Sequence, residues 1–303
     1  MTKAALKIKI ALPALWAVLG LGVLASASAG TETATAPQRD TSYGSNGSAG
    51  RFAQLNGIKL YFETYGEGPP MLQLHGNGQN ISALRAQIKF LSARCRVIAL
   101  DSRGHGKSKI GPGRLTYEQM AEDVNALLEE LGLKQIYVLG WSDGGIIGLL
   151  LAINHPDKVA KLAIMGANLD PEGAYDWARA WVLQQEKTTD ARLAKGDLSQ
   201  RLSIYKQHLD LLGKQPNIPV EKLKSVSAPT LVMAGDKDVI RDEHTLQIFH
   251  ALPKAHLCIF PGATHMIPQQ DPDLFNQTVE KFFRKPFTRP DTKSMFVQPT
   301  DKP

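Results

Sequence analysis

Residues 136–151 read IYVLGWSDGGIIGLLL and include the pentapeptide Gly140-Trp141-Ser142-Asp143-Gly144. The apolar run 136–139 in front of it is typical of a buried strand, and the glycine-rich apolar run behind it predicts a helix. A serine on such a sharp strand-to-helix turn needs glycines beside it, because the backbone of the turning residue is strained. The stretch therefore predicts that Ser142 is a nucleophile held at the end of a strand.

Short apolar runs alternate with helical patterns on both sides of this turn. The first two runs are joined by Asn56-Gly57, a strong signal for a β-hairpin. The alternation that follows is typical of an α/β fold with a doubly wound, mostly parallel sheet of eight strands. The predicted strands are residues 51–56, 59–65, 71–74, 96–100, 136–139, 162–165, 230–233 and 257–260.

Two helices have recognisable start signals. Thr116 and Gln119 fit a capping box, in which the Thr116 hydroxyl accepts from the amide of Gln119 and the Gln119 side chain reaches back. Asp271 precedes Pro272, a pair that predicts an N-cap followed by the first helical residue. The side chains expected to be buried are Met120, Val124, Leu127, Leu128 and Leu131 in the first helix and Leu274, Phe275, Val279, Phe282 and Phe283 in the second.

Residues 168–227 interrupt the alternation, because no strand-like run occurs in them. Apolar clusters around Tyr175, Trp177 and Trp181, and then over residues 202–212, predict amphipathic helices instead. A helical excursion of this length between two core strands predicts a lid over an active site. The alternative is a helical surface insertion without a function. Trp177 and Trp181 would suit an apolar substrate group, and core packing is the alternative for these two side chains.

A nucleophilic serine needs a histidine as base and an acid that orients the histidine. His265 follows the predicted strand 257–260 and is the predicted base. The preceding strand ends in Gly235-Asp236-Lys237-Asp238 and offers two acids. Asp238 is favoured, because a carboxylate further from the strand end can reach an imidazole above the sheet. Asp236 is the alternative, although an aspartate at a strand end commonly caps the following turn.

Ester chemistry also needs two main-chain amides that bind the negative oxygen of the intermediate. One is predicted to come from Asp143, the residue after the nucleophile. The other is predicted to come from Asn77, in the loop His75-Gly76-Asn77-Gly78 after the third strand. His75 itself is expected to pack and hydrogen-bond beneath that loop and not to act as a base.

These motifs together resemble the α/β-hydrolase family over residues 51–284. The matching pieces are the turn at Ser142 and residues 75–78, 101–108, 235–238 and 262–265. The resemblance implies a serine hydrolase that acts on a small ester-like molecule and needs no metal or organic cofactor. It also implies that loop 101–108 is structural, although Arg103, His105 and Lys107 alone would suggest a phosphate site; a Walker pattern is absent.

Residues 140–145 and 165–168 are similar to the biphenyl-hydrolase-like enzymes, a subgroup that cleaves α-amino-acid esters. The similarity implies a second role for Asp143, whose carboxylate would pair with the amino group of the substrate. The alternative is that the Asp143 carboxylate only favours the N-terminus of the helix that follows Ser142. An α-amino-acid ester is therefore one candidate within the ester class.

A serine, a histidine and an aspartate arranged in this way serve several reactions. Carboxylic esters are the favoured substrates, and lactones, amides and carbon–carbon bonds in diketones are the alternatives, with perhydrolysis as a further one. Epoxide and haloalkane hydrolysis are disfavoured, because the related branches with those activities carry Asp where Ser142 stands. From a different class, a non-catalytic binding module is the alternative, and a complete set of three groups argues against it.

Both ends of the chain are predicted to lie outside the folded domain, residues 51–285. Residues 1–29 have the lysines, apolar stretch and small-residue run of a secretory signal peptide, which predicts an exported protein, periplasmic or extracellular. The apolar stretch is shorter than the roughly 20 residues of a spanning helix, so no stable membrane span is expected after cleavage; an uncleaved membrane anchor is the alternative. Residues 30–50 are predicted to be a linker and residues 286–303 a flexible tail.

Composition narrows the function further. The net charge of +6 is not concentrated in basic runs with interleaved aromatic residues, so nucleic acid is not an expected partner. Cys95 and Cys258 are expected to be free thiols on distant strands. No Cys/His cluster has the spacing of a metal site. The sequence gives no indication of an oligomeric state.

Overall fold

The structure is a computed structural model that describes residues 42–292 and residue 296. The predicted signal peptide, the predicted linker up to residue 41 and most of the predicted tail lie outside the described residues. Within the described part of the chain, no helix combines the length and the apolar character that crossing a bilayer requires.

The described chain forms one sheet of eight strands in the order β1-β2-β4-β3-β5-β6-β7-β8. The β1–β2 and β2–β4 pairs are antiparallel and the other pairs are parallel, which confirms the predicted doubly wound, mostly parallel sheet. The strands are β1 (Gly50–Leu55), β2 (Ile58–Tyr65), β3 (Pro70–Leu74), β4 (Arg96–Leu100), β5 (Ile136–Trp141), β6 (Val159–Met165), β7 (Thr230–Lys237) and β8 (Ala255–Thr264).

The last two strands are longer than the sequence predicts. β7 continues to Lys237, which pairs with Thr264 near the end of β8. Residues 234–237 and 261–264 are therefore strand residues, and the predicted strand ends at residues 233 and 260 are wrong. The reason is that main-chain pairing continues beyond the apolar side chains from which the strands were predicted.

The hairpin between β1 and β2 turns at Asn56 and Gly57, where φ is 46° and 77°. Two successive positive φ values identify a type I′ turn, whose twist matches that of the strands it joins. Leu55 and Ile58 pair directly across the turn, which sets the register of the hairpin.

Helices cover both faces of the sheet. α2, α3 and α6 contribute to one apolar core, and α1, α7 and α8 contribute to a second core on the opposite face. In β5, Ile136 and Val138 belong to the first core and Leu139 and Trp141 to the second, which explains the unbroken apolar run in this strand. The helices are α1 (Arg85–Leu91), α2 (Tyr117–Glu130), α3 (Asp143–Asn154), α4 (Asp176–Ala194), α5 (Gln200–Lys214), α6 (Asp242–Ala251), α7 (Ile267–Gln270) and α8 (Pro272–Arg284).

The two predicted helix starts are only partly as expected. The Thr116 hydroxyl accepts from the amide of Gln119 at 3.0 Å. The Gln119 side chain does not reach back, because it donates to Asp123 one turn later at 3.2 Å, so the reciprocal half of the capping box is wrong. Asp271 caps α8 by accepting from the amide of Leu274 at 3.1 Å. Leu274 itself is 41% exposed, contrary to the prediction that it is buried.

A buried ion pair ties loop 101–108 to α2. The Nε and Nη2 atoms of Arg103 donate to the two oxygens of Asp123 at 2.6 and 2.7 Å. The side chain of Asn56 in the β1–β2 turn donates to the same carboxylate at 2.9 Å. The guanidinium therefore joins three separate parts of the chain, and this geometry assigns Arg103 a structural contact.

The segment predicted as a lid, residues 168–227, contains α4, α5 and two short 3₁₀ helices, Pro171–Gly173 and Val220–Ser225. We call it the lid segment. One main-chain hydrogen bond joins the start of the lid segment to the chain after β7, and another joins the two ends of the segment to each other. The amide of Tyr175 donates to the carbonyl of Val239 at 3.0 Å, and the amide of Ile218 donates to the carbonyl of Leu169 at 2.8 Å.

The two helices of the lid segment differ in burial. On α5, Leu202, Leu209 and Leu211 are buried. On α4, Trp177 is 61% exposed and Trp181 is 47% exposed, so core packing, the alternative for these tryptophans, is wrong. The physical reason is that α4 packs chiefly against α5, which covers one side of it.

Part of the predicted linker is bound to the sheet. The amides of Gly44 and Asn46 donate to the two carboxylate oxygens of Glu63 in β2 at 2.7 and 2.9 Å. The hydroxyls of Tyr61 and Tyr65 also donate to this carboxylate, both at 2.7 Å. Glu63 is completely buried, so these four donors replace its hydration. Residues 42–49 thus belong to the folded domain and not to a linker.

The beginning of the predicted tail also contacts the domain. The ring of Phe287 stacks on His256 of β8 with the centroids 4.7 Å apart. The His256 side chain, through Nε2, donates to the carbonyl of Thr288 at 2.7 Å. The folded domain therefore extends past the predicted boundary at residue 285.

Both cysteines are free thiols. Cys95 directly precedes β4 and Cys258 lies in β8, with four strands of the sheet between these two positions. Cys95 is buried and Cys258 is half-buried, and burial raises the pKa of both thiols.

Candidate active site

Ser142 occupies the turn between β5 and α3 with φ 56° and ψ −119°. A positive φ is strained for a residue with a side chain and costs of the order of 1–3 kcal/mol. The surroundings hold this conformation: the Ser142 amide donates to Met165 at 2.7 Å, and its carbonyl accepts from Gly145 at 2.8 Å. A Cβ on Gly144 would lie 2.2 Å from the carbonyl oxygen of Leu74, so only glycine allows β3 and α3 to approach so closely.

His265 and Asp238 form the central contact of the site. His265 Nδ1 donates to Asp238 Oδ1 at 2.7 Å, which leaves Nε2 as the nitrogen that can accept a proton. The indole nitrogen of Trp141, next to Ser142, donates to the His265 carbonyl at 2.9 Å. No hydrogen bond joins Ser142 to the His265 ring among the described residues, and catalytic hydrogen bonds are often longer before substrate binds.

Asp238 is a carboxylate held in its charged form. Its side chain is fully buried, and Oδ1 also accepts from the amides of Val239 and Ile240 at 2.7 and 3.1 Å. Burial by itself would raise the pKa of Asp238, but the neighbouring His265 and the main-chain amides outweigh burial and lower that pKa.

Asp236, the alternative acid, lies elsewhere. It belongs to β7, and its Oδ2 accepts from the amide of Gly262 at 2.8 Å. This contact closes the end of the β7–β8 pair. Of the two acids that the sequence offers, the structure brings Asp238 to His265, and Asp236 contacts the main chain of β8.

Loop 75–78 after β3 passes beside the serine. A Cβ on Gly76 would lie 3.1 Å from the Cβ of Ser142. The main-chain amide of Asn77, the next residue, makes no hydrogen bond within the described residues. Asp143 is the first residue of α3, and the amide of a first helical residue has no partner inside its helix. Outside the helix, the Asp143 amide contacts its own carboxylate. Two main-chain amides, those of Asn77 and Asp143, thus lie near Ser142.

His75 lies beneath this loop. Its Nδ1 donates to the carbonyl of Gly76 at 2.8 Å and its Nε2 accepts from the amide of Ser102 at 3.0 Å. Burial lowers the pKa of His75 to about 4, so the ring is neutral near pH 7. Both ring nitrogens have main-chain partners, which is the packing arrangement expected for this histidine.

The Asp143 carboxylate points into the protein and is 3% exposed. Its Oδ2 accepts from the side-chain amide of Asn77 at 2.9 Å, and the Tyr117 hydroxyl also hydrogen-bonds to the carboxylate. Burial raises the pKa of Asp143 to about 6, and the contacts with Asn77, Tyr117 and His265 offset part of that effect. The same burial, together with Asp143, raises the pKa of Tyr117.

Known proteins share this fold. A family model of the alpha/beta hydrolase fold matches residues 69–215. The mouse protein named serine hydrolase BPHL is 28% identical over 76% of this chain and 84% of its own length. The Acinetobacter baylyi protein named 3-oxoadipate enol-lactonase 2 is 25% identical over 75% of this chain and 94% of its own length. The chain belongs to the α/β-hydrolase family.

A solved structure supports the fold of this α/β-hydrolase. A hydrolase from Pseudomonas aeruginosa superimposes with a TM-score of 0.66 at 24% identity, and the match covers 79% of this chain and all of that one. Several relatives of this α/β-hydrolase are named as hydrolases or lactonases, and the protein is an enzyme of the hydrolase class. Within residues 42–292, no group of three or more His, Cys, Asp or Glu side chains could hold a metal ion.

Three contacts of this α/β-hydrolase site could not be predicted from the sequence. Gly166 approaches the His265 ring, Tyr117 hydrogen-bonds to Asp143, and the Asn77 side chain contacts the carbonyl of His208 in the lid segment at 3.2 Å. The residues in each contact are far apart in the chain, so no local pattern indicates them. The one local signal for any of the three is Gly166, which lies in the segment 165–168 that is similar to the biphenyl-hydrolase-like enzymes.

Proposed function

We propose that this protein hydrolyses carboxylic esters with Ser142 as nucleophile, His265 as general base and Asp238 as the acid that orients the histidine. The observation that carries the proposal is the 2.7 Å contact between Asp238 and His265, located at the same sheet edge as the strained Ser142 turn. A serine, a histidine and a buried carboxylate in this chain order are the groups that acyl transfer needs.

The proposed reaction has two steps. Ser142 Oγ attacks the carbonyl carbon and its proton moves to His265 Nε2, while the main-chain amides of Asn77 and Asp143 donate to the negative oxygen. The intermediate collapses, and the leaving alcohol takes the proton from His265. Water then attacks the acyl-serine by the same path, with His265 again accepting a proton, and releases the acid and free Ser142.

Within the ester class, we propose a substrate without an amino group at the α position. An ammonium group would need the Asp143 carboxylate as its partner, but that carboxylate is 3% exposed and already accepts from Asn77 and Tyr117. Pairing with a substrate would therefore require the loss of existing buried hydrogen bonds, each worth about 1 kcal/mol or more. These contacts favour a structural role for the Asp143 carboxylate over pairing with a substrate.

We also propose that the protein is exported, to the periplasm or beyond the cell. The support is the order of lysines, apolar residues and small residues in the first 29 positions. Detection of the chain in the periplasmic or culture fraction, with an N-terminus near residue 30, is the expected result. A full-length chain confined to the cytoplasm would overturn this part of the proposal.

The test of the chemistry is a panel of short p-nitrophenyl esters, a neutral lactone, an amide and an α-amino-acid ester. Wild type is expected to turn over the neutral esters, and Ser142→Ala is expected to lose at least about 10³-fold in kcat. A preference for the lactone or the amide would keep the three catalytic residues but change the substrate class. A well-folded wild type that hydrolyses nothing in the panel would overturn the proposal.

A matched pair of variants tests the acid. Asp238→Asn should lower kcat by about 10³–10⁴-fold, because an amide cannot hold the imidazole in the required tautomer or stabilise its charge. Asp236→Asn keeps an oxygen that can accept from Gly262 and should stay within about threefold of wild type. The reverse order of the two effects would assign the acid to Asp236.

A further inference from the structure

The side chain of Asn77 bridges two parts of the structure. Its Nδ2 group donates to Asp143 Oδ2 at 2.9 Å and to the carbonyl of His208 at 3.2 Å. Asp143 follows the nucleophile, whereas His208 lies in α5 of the lid segment. One amide group therefore contacts the start of α3 and the lid segment at the same time.

His208 is itself firmly placed. Its ring stacks on His105 with the centroids 4.0 Å apart and the planes 12° from parallel. Its Nε2 donates to the carbonyl of Gly104 at 3.1 Å, in the loop that follows β4. Burial lowers the pKa of His208 to about 4, so this contact is made by a neutral ring near pH 7. The carbonyl that receives Asn77 thus belongs to a residue fixed against the core.

The opposite end of the bridge is equally constrained. The Asp143 carboxylate is 3% exposed and has Tyr117 of α2 as its second side-chain partner. Tyr117 is 1% exposed. Asn77 is therefore held between two buried partners, although its own loop is a turn with little regular structure.

We propose that the Asn77 side chain is a positioning residue, which fixes loop 75–78 relative to both α3 and α5 and thereby aims the Asn77 main-chain amide. The proposal deepens the proposed function, because it rests on that amide being one of the two oxyanion donors. Asp143 is part of the same arrangement, because its carboxylate accepts from the Asn77 side chain while its main-chain amide is the second oxyanion donor. We call Asn77, Asp143 and the His208 carbonyl one unit. The lid segment completes the unit through the His208 carbonyl.

The physical reason is the precision that oxyanion donors need. Removing one such donor costs about 10²–10³-fold in kcat, and misplacement by about 1 Å has a comparable effect. A loop without regular structure does not hold that precision by itself. Two side-chain hydrogen bonds to buried partners supply the restraint.

The kinetic test uses Asn77→Ala, which keeps the main-chain amide and removes the bridge. We expect kcat for a neutral p-nitrophenyl ester to fall about 10- to 100-fold with KM within about threefold. Asp143→Ala should behave alike, and the double variant should be no worse than the more severe single one, because both changes remove the same unit. A kcat within threefold of wild type in Asn77→Ala, or effects that multiply in the double variant, would overturn the proposal.

Gln207→Ala is the matched control. Gln207 also joins α5 to the core, by accepting from the amide of Leu115 at 2.8 Å, but it does not contact loop 75–78. This variant should keep kcat within about threefold of wild type, even if its melting temperature falls. A loss of kcat equal to that of Asn77→Ala would mean that loosening α5 anywhere has the same effect, which contradicts the specific role of Asn77.

Hydrogen exchange separates this inference from the proposed function. In a Ser142→Ala background, which needs no turnover, Asn77→Ala should speed amide exchange both in residues 76–79 and in residues 205–209. Exchange in α5 that is unchanged would overturn the coupling, whatever the kinetics show. Faster exchange in both segments, together with a wild type that hydrolyses no ester, would retain the coupling and reject the proposed function.

Discussion

Gly166 leaves room for the imidazole of His265. A Cβ at this position would lie 2.6 Å from two ring atoms of His265 and 3.4 Å from Asp238 Oδ2, and φ is +63°. Gly166→Ala should therefore displace the ring and lower kcat for a neutral ester by about 10- to 100-fold, since small misplacements of catalytic groups are costly. The measurement is kcat together with the melting temperature.

Gly262→Ala provides the comparison for that prediction. Gly262 has a similar φ of +68°, but a Cβ there would meet no atom within 4 Å. Both variants should lose roughly 1–2 kcal/mol of stability through backbone strain. Only Gly166→Ala should lose kcat, and equal kinetics in the two variants would refute the crowding of His265.

The sequence indicated which residue types gather at the site but left the choice between two aspartates to a spacing argument. Ser142 and His265 each follow a strand that an apolar run predicts, so their positions at one sheet edge could be inferred. The choice between Asp236 and Asp238 depends on where β7 ends. Main-chain pairing carries β7 to Lys237, and only the paired structure shows that Asp236 faces the amide of Gly262.

At the level of elements, the pair of Arg103 and Asp123 joins loop 101–108 to α2. The two side chains are 5% and 2% exposed. Breaking a buried pair leaves one charge without a partner, so Arg103→Leu should lower the free energy of unfolding by about 3–5 kcal/mol. The change is measured by urea denaturation at pH 7.

An exposed pair on the lid segment serves as the control for Arg103. Arg192 and Asp197 are 59% and 34% exposed, and Arg192→Leu should cost less than about 1 kcal/mol. Adding Asp123→Leu to Arg103→Leu should cost less than the sum of the single changes, because no buried charge remains. Additive costs would show that the two side chains act independently.

Elements with strong periodicity were predictable, and their contacts with other elements were not. All eight strands and the start of α8 follow from apolar runs and capping residues. The exposure of Trp177 and Trp181 does not, because aromatic residues at helical spacing fit a buried face and an exposed one equally. The partner of Gln119 was missed for a similar reason: Asp123 competes from the next turn.

For the whole molecule, buried carboxyls set part of the pH dependence of stability. Burial raises the pKa of Asp143 to about 6, above the ordinary value of 3.8. The folded state therefore holds this proton more tightly than the unfolded state does. As pH rises from about 4 to about 6, Asp143 lowers the free energy of unfolding, by at most about 3 kcal/mol in total. Above that range it causes no further change.

Asp143→Asn should remove this contribution. The stability of the variant relative to wild type is expected to rise between pH 4 and pH 7, whatever the constant cost of altered hydrogen bonds. Urea denaturation at pH 4, 5.5 and 7 measures the difference. Burial also raises the pKa of Asp101 to about 6, but Asp101 is present in both proteins, so its contribution cancels in the stability difference. A difference that is the same at all three pH values would contradict the raised pKa of Asp143.

The lid segment begins and ends in the same part of the molecule. The amide of Tyr175 donates to the carbonyl of Val239, next to Asp238. The amide of Ile218 donates to the carbonyl of Leu169, so the two ends of the segment lie side by side. The hydrogen bonds of the turn that carries Asp238 thus lie outside residues 176–217, whereas α5 within that span makes its own contacts with the core through Leu211 and Gln207. In evolutionary terms, the lid segment and the residues proposed for the chemistry can be inherited separately, with the hydrogen bonds of Asn77 as the link that a new segment would have to rebuild.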